Sequence, residues 1–157
     1  MPKIEEKQFL YLLTNCLMYG TAKAEMKLAG VSTVLSRMSV DYSIGSNVDG
    51  LKGMGLDYEI SPDPFECVEN YKKLNVEAGL VKDEDFIITR ETDRLTLTAP
   101  NCLYKLGCSH LIAEGIKEFG CKINASVCKA ARASGKRVNC HSVNEPGNCK
   151  IYVEIKK

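Results

Sequence analysis

The sequence predicts a single α+β domain over residues 1–157, with N-terminal helices packed on a short antiparallel sheet that carries most of the cysteines. Three observations lead there. Apolar residues recur at helical spacing through the first half, as in Phe9, Leu12, Leu13, Cys16 and Leu17. From Asp85 onward the pattern becomes alternation, with Leu95 and Leu97 on one side and Thr96 and Thr98 on the other. The chain of 157 residues, 45% hydrophobic and 26% charged, suffices for one core and shows no repeat or linker that would divide it.

Taken in order, the first helix is expected from Ile4 to about Met18, closed by Gly20, and a second from Thr21 to Met38 with Val31, Val34, Leu35 and Met38 on one face. The stretch from Ser43 to Ser61, with Gly45, Gly50, Gly53 and Gly55, reads as an irregular connection holding a short strand at Leu56 to Ile60. A third helix has the fullest signals: Asp63 as cap, Pro64 in the first turn, Glu66 for a capping box and Gly79 as the stop. Its inward stripe is Phe65, Val68, Tyr71, Asn75 and Ala78. Asp85–Arg90 and Arg94–Thr98 then flank Glu91-Thr92-Asp93 as a hairpin. A helix from Ser109 to Phe119 buries Ile112, Ile116 and Phe119 and closes at Gly120. Strands are expected at Lys122–Val127 and Lys150–Ile155, with a loop between them.

Twenty-one basic residues against twenty acidic ones give a net charge of +1, without the basic excess of a nucleic-acid binder. No apolar run approaches the roughly 20 residues of a membrane-crossing helix. The start, Met1-Pro2-Lys3-Ile4-Glu5-Glu6-Lys7, lacks a signal-peptide core, so a cytoplasmic protein is expected. There thiols stay reduced, and clustered cysteines point to metal more than to disulfides. Of eight cysteines, Cys102, Cys108, Cys121, Cys128, Cys140 and Cys149 crowd the last third, together with His110 and His141. Zinc takes four such thiolate or imidazole ligands. In the expected topology Cys102 precedes a helix, Cys128 ends a strand and Cys149 begins another, so the three converge, with Cys140 or His141 from the loop as a fourth ligand.

The stretch from Cys102 to Ile155 resembles the C-terminal half of the 4-vinyl reductase, or hydrocarbon-binding, domain family. The resemblance is carried by Cys102, Gly107 at the start of the following helix, Cys128, and Gly147-Asn148-Cys149-Lys150-Ile151. It implies the ligand-binding fold of nitric-oxide-sensing and vesicle-tethering subunits, and a structural Zn2+ held by three such cysteines and a glutamate. Ala125 stands where that glutamate would be. The expected metal set is therefore Cys102, Cys128, Cys140 and Cys149, with His141, then Cys108 or His110, as alternatives to Cys140. The resemblance also implies a hydrophobic or aromatic ligand between helices and sheet, for which Leu35, Met38, Tyr42, Leu56, Tyr58, Phe65 and Ile112 are candidate lining residues.

Catalytic chemistry is thin. Gly50-Leu51-Lys52-Gly53-Met54-Gly55 is not a phosphate-binding fingerprint, Asp83-Glu84-Asp85 reads as a solvated turn, and Lys129, Arg132, Lys136 and Arg137 as a solvated basic surface. Cys108 and His110 do not face each other on a helix, and no catalytic residue is assigned. The expectation is a small-molecule sensor or carrier rather than an enzyme. The alternatives are an enzyme or accessory subunit in tetrapyrrole vinyl-group reduction, and a homodimeric scaffold pairing through Leu10, Leu17 and Leu28.

Overall fold

The computed structural model describes residues 6–29, 52–53, 55–116, 119–145 and 147–156. Among them are four α-helices, a single 3-10 turn and a four-stranded antiparallel sheet, an α+β arrangement. No helix among these residues is long and apolar enough to cross a membrane.

Helix α1 runs unbroken from Glu6 to Ala29, where two helices divided at Gly20 were expected. Gly20 keeps a negative φ, and a glycine inside a helix costs only about 1 kcal/mol relative to alanine. Packing outweighs that cost. Asn15, Met18, Ala22 and Glu25 form one buried face that crosses Gly20, so the helix is held on both sides of it. The rest of the expected second helix lies outside the described residues. Leu56 to Ile60 is irregular instead of a strand.

Helix α2 spans Pro64–Glu77 as its local signals dictate. Asp63 caps it by accepting the Phe65 N–H at 3.0 Å. Glu66 does not close a simple capping box. The Ser61 hydroxyl stands between, accepting from the Asp63 N–H at 3.0 Å and donating to Glu66 Oε2 at 2.5 Å. At the far end Gly79 takes φ +69°, and the Leu80 N–H returns to the Asn75 carbonyl at 3.0 Å. A 3-10 turn at Asp83–Asp85 then leads into the sheet.

The hairpin forms as expected, from β1 (Ile87–Arg90) and β2 (Arg94–Ala99). The remaining strands are β3 (Val138–Val143) and β4 (Cys149–Ile155), and the spatial order is β1-β2-β4-β3. β3 replaces the expected loop. Its inward Val138 and Cys140 pack on the core while Asn139, His141 and Val143 face out, and pairing to β4 supplies the hydrogen bonds that its polar sequence does not advertise.

Two helices differ from expectation. α3 is Lys105–Ala113 and closes at Gly115, not Gly120: with φ +79°, Gly115 lets the Ile116 N–H reach the Leu111 carbonyl. Leu111 is its most buried side chain, ahead of Ile112 and Ile116. Residues Lys122–Arg132, expected to open with a strand, form helix α4. Ile123, Val127, Ala130 and Ala131 recur at i, i+4, i+7 and i+8, a helical period that puts all four toward the core. Cys121 caps it, its sulfur accepting the Asn124 N–H.

The elements sort into two layers. α2 packs on α4 over the sheet, enclosing Phe65, Val68, Leu95, Leu97, Val127, Ile151 and Val153. α1 packs on α3 around Met18, Ala22, Cys108, Leu111 and Phe119. Tyr104 touches both clusters.

Candidate ligand cavity and thiol cluster

A cavity of about 340 Å³ lies between α2, α4 and the sheet. α2 contributes Val68, Tyr71, Lys72 and Asn75, the same face read from the sequence as its inward stripe. The turn after it adds Leu80, Val81 and Phe86; β2 adds Leu97; the segment before α3 adds Leu103 and Tyr104. α4 completes the wall with Lys122, Ile123, Ser126 and Val127. The lining is mainly apolar with a few polar groups, the usual composition of a small-molecule site in this size range. Tyr71 is only half-buried because its ring borders this space.

The expected lining residues fall elsewhere. Leu35, Met38 and Tyr42 lie outside the described residues. Leu56 is half-buried off the cavity, and Phe65 is fully buried in the core with the Arg90 guanidinium over its ring. Ile112 packs with the α1–α3 cluster. Tyr58 comes nearest, its ring meeting that of Tyr71 edge-on at 6.0 Å.

Tyr104, on the cavity wall, packs against clusters that contain several thiols. Ala99 at the end of β2 is paired with Cys149, and Cys102 follows three residues later, buried in the same core that Cys121 packs against. Cys108 lies across Tyr104 in the second cluster. Cys102, Cys108, Cys121 and Cys149 form a mutually interacting set: each of the six pairs is close enough that ionising one thiol opposes ionising the other. Burial is the main cause that raises all four. It lifts Cys121 to about 11 despite the Asn124 N–H, and Cys108 well above the thiol range. Burial, then the neighbouring Cys102, also raises the Tyr104 phenol. Protonated thiols in such surroundings pack as small apolar groups and are poor nucleophiles.

Of the expected metal set, the fold brings Cys102 and Cys149 into one neighbourhood. Cys140 pairs with Val153, four residues along β4 from Cys149. At the rise of a strand that is roughly 13 Å. Cys128 sits on α4, not at a strand end, two turns or roughly 10 Å beyond Cys121. His141 faces outward, stacked on Tyr152 at 4.8 Å, and His110 is exposed with its ring edge-on to Tyr19 at 6.0 Å. Among the described residues no three His, Cys, Asp or Glu side chains stand close enough to hold a metal ion as placed. Sequence reasoning assigned no role to Cys121 and missed Tyr104, Ile123 and Ser126; reading residues 122–132 at helical period would have put Ile123, Ser126 and Val127 on one face.

Packed on the opposite side of Tyr104, α1 is fixed by a polar contact. Asn15 donates to the carbonyls of Tyr11 at 2.8 Å and Leu103 at 2.7 Å, and its Oδ1 accepts the Gly107 N–H at 2.8 Å. Gly107 has no room for a side chain, since a Cβ there would lie 2.7 Å from Met18 Sδ and 2.9 Å from the Asn15 carbonyl oxygen. The Glu114 carboxylate, bonded by Lys23 and Tyr19, closes the other end of the α1–α3 contact and is held below the usual carboxylate range, chiefly by Lys23. Compared with models of protein families, with curated proteins and with solved structures, the chain matches none.

Proposed function

We propose that this protein is a cytoplasmic sensor or carrier domain that binds a hydrophobic small molecule in the cavity between α2, α4 and the sheet. The observation that carries the reading is the cavity itself, a largely apolar space bordered by two tyrosine rings. Helices covering an antiparallel sheet around such a space is also the arrangement that the 4-vinyl reductase resemblance implies, and with it the relationship to nitric-oxide-sensing and vesicle-tethering folds. The test is titration with N-phenyl-1-naphthylamine, a neutral fluorescent probe. Wild type is expected to bind it and Ser126→Trp, which fills the space from α4, to bind at least about 10-fold more weakly. Equal binding by both, or none by wild type, overturns the proposal.

A structural zinc belongs to the same reading, as the resemblance implies, held by Cys102 and Cys149 with further cysteines of the last third. Four thiols suit a borderline-soft ion, and binding would displace the protons that burial now holds on them. Elemental analysis is expected to find one zinc per chain, lost in Cys149→Ser; a metal-free wild type removes zinc from the proposal. A homodimer is the second part. Leu10, Leu17 and Leu28 are 51%, 63% and 85% exposed and align along α1, away from its buried face. Light scattering that finds only monomer at high concentration removes the dimer.

A further inference from the structure

We infer that the molecule bound in the cavity is an amphipathic acid, an apolar or aromatic body ending in a carboxylate, whose charge is met by Lys122. The inference rests on the cavity being the ligand site and adds the class of ligand.

The argument starts from the charge of the wall. Two lysines, Lys72 and Lys122, are among the residues lining the cavity, and no aspartate or glutamate is. They are not equivalent. Lys72 is largely covered and already paired with Asp83 at 2.7 Å, so its charge is met. Lys122 forms no ion pair among the described residues. It occupies the first turn of the 11-residue helix α4, where the aligned peptide dipoles add to the positive potential. A cation bordering an apolar space without a counter-ion disfavours a cationic occupant. It leaves a neutral one without its strongest contact, and it suits an anion.

The remaining polar groups fit the same occupant. Ser126 spends its hydroxyl proton on the Lys122 carbonyl at 3.0 Å, and Asn75 spends an amide proton on the Tyr71 carbonyl at 2.7 Å. The Tyr104 side chain also lines the cavity, and its hydroxyl has no hydrogen-bond partner among the described residues. A phenol O–H is a donor, able to serve the second oxygen of a carboxylate held by Lys122. The rings of Tyr71 and Tyr104 and the side chains of Leu97, Ile123 and Val127 leave the rest of the space to carbon.

The experiment compares 1-naphthaleneacetic acid with its methyl ester by calorimetry at neutral pH and low salt. Wild type is expected to bind the acid about 10-fold more tightly than the ester, the size of one charge-assisted hydrogen bond. Lys122→Gln is expected to erase that preference by weakening the acid alone, and Lys122→Arg to keep it. If N-phenyl-1-naphthylamine and the ester bind as well as the acid, the cavity stands and the acid inference is overturned. If Lys122→Gln leaves the preference intact, it is overturned likewise. If neither naphthalene compound nor the neutral probe binds wild type, both this inference and the proposed function fail.

Discussion

The sheet layer and the α1–α3 layer rely on different interactions. In the sheet layer β2 and β4 set Leu95, Leu97, Ile151 and Val153 against Phe65, Val68 and Val127, and contact is almost wholly apolar. In the α1–α3 layer the buried face of α1 is Asn15, Met18, Ala22 and Glu25, half of it polar, while Leu10, Leu17 and Leu28 are exposed along another side of the helix. Apolar area gives the first layer its strength; hydrogen-bond geometry gives the second its position. The cavity belongs to the first layer, and Tyr104 is where the two touch.

This contrast can be broken by mutation. The largest effect is expected for Ile151→Ala, which empties a fully buried position at the centre of the sheet; denaturant unfolding should show a loss of about 2–5 kcal/mol. A loss below that of any α1 substitution would reverse the ranking of the layers. Next come the changes at the α1–α3 contact. Gly107→Ala drives a methyl into Met18 and the α1 backbone, and Asn15→Ala strands the Gly107 N–H; each is expected to cost about 1–3 kcal/mol by the same measurement. If either were neutral, the layers would not be held as described.

A smaller and pH-dependent effect sharpens the picture within the sheet layer. Burial favours protonation of Asp63, but the Phe65 N–H and the Arg90 guanidinium outweigh it and hold the carboxyl below its ordinary value of 3.8. Its contribution is therefore complete above that value and fades as pH falls through the lower folded one. Asp63→Asn keeps a cap acceptor, so the variant is expected to be less stable than wild type by under about 1 kcal/mol at pH 7. The two unfolding curves should converge in acid, and a gap independent of pH would exclude the ionic contribution. The smallest effect is expected for Leu17→Ala, within about 0.5 kcal/mol for the monomer. A larger, concentration-dependent loss would show that the exposed leucines meet a second chain.

What was legible in the sequence followed the same division. α2 and the β1–β2 hairpin could be read because their signals are local: Asp63, Pro64 and Gly79 bracket one, and Leu95 and Leu97 alternate in the other. β3 was not legible, because an edge strand with Asn139 and His141 outside takes its strand character from pairing with β4. α4 was misread since Ile123 and Val127 are β-branched and Cys121 is an uncommon cap; only their shared helical face gives it away. Gly20 misled because the face that spans it is assembled by α3, distant in sequence. The cavity was half visible, as the α2 stripe of Val68, Tyr71 and Asn75, and its other half was hidden with α4. Cys102 lies three residues beyond Ala99, which pairs with Cys149, a register that residue patterns alone do not give; Cys140 and Cys128 stand on strand β3 and helix α4 in place of the expected loop and strand.

Asn15 also acts as a key. Both of its amide protons and its oxygen are engaged, across three partners on two helices and the segment between. Were α1 to slide by one residue or roll by a single step of the helical wheel, the amide of Gly107 and the carbonyl of Leu103 would be left dry and unanswered, a penalty that a purely oily seam would not impose. The row of leucines is thus presented at one bearing only, and any second body that docks there finds a surface already aimed.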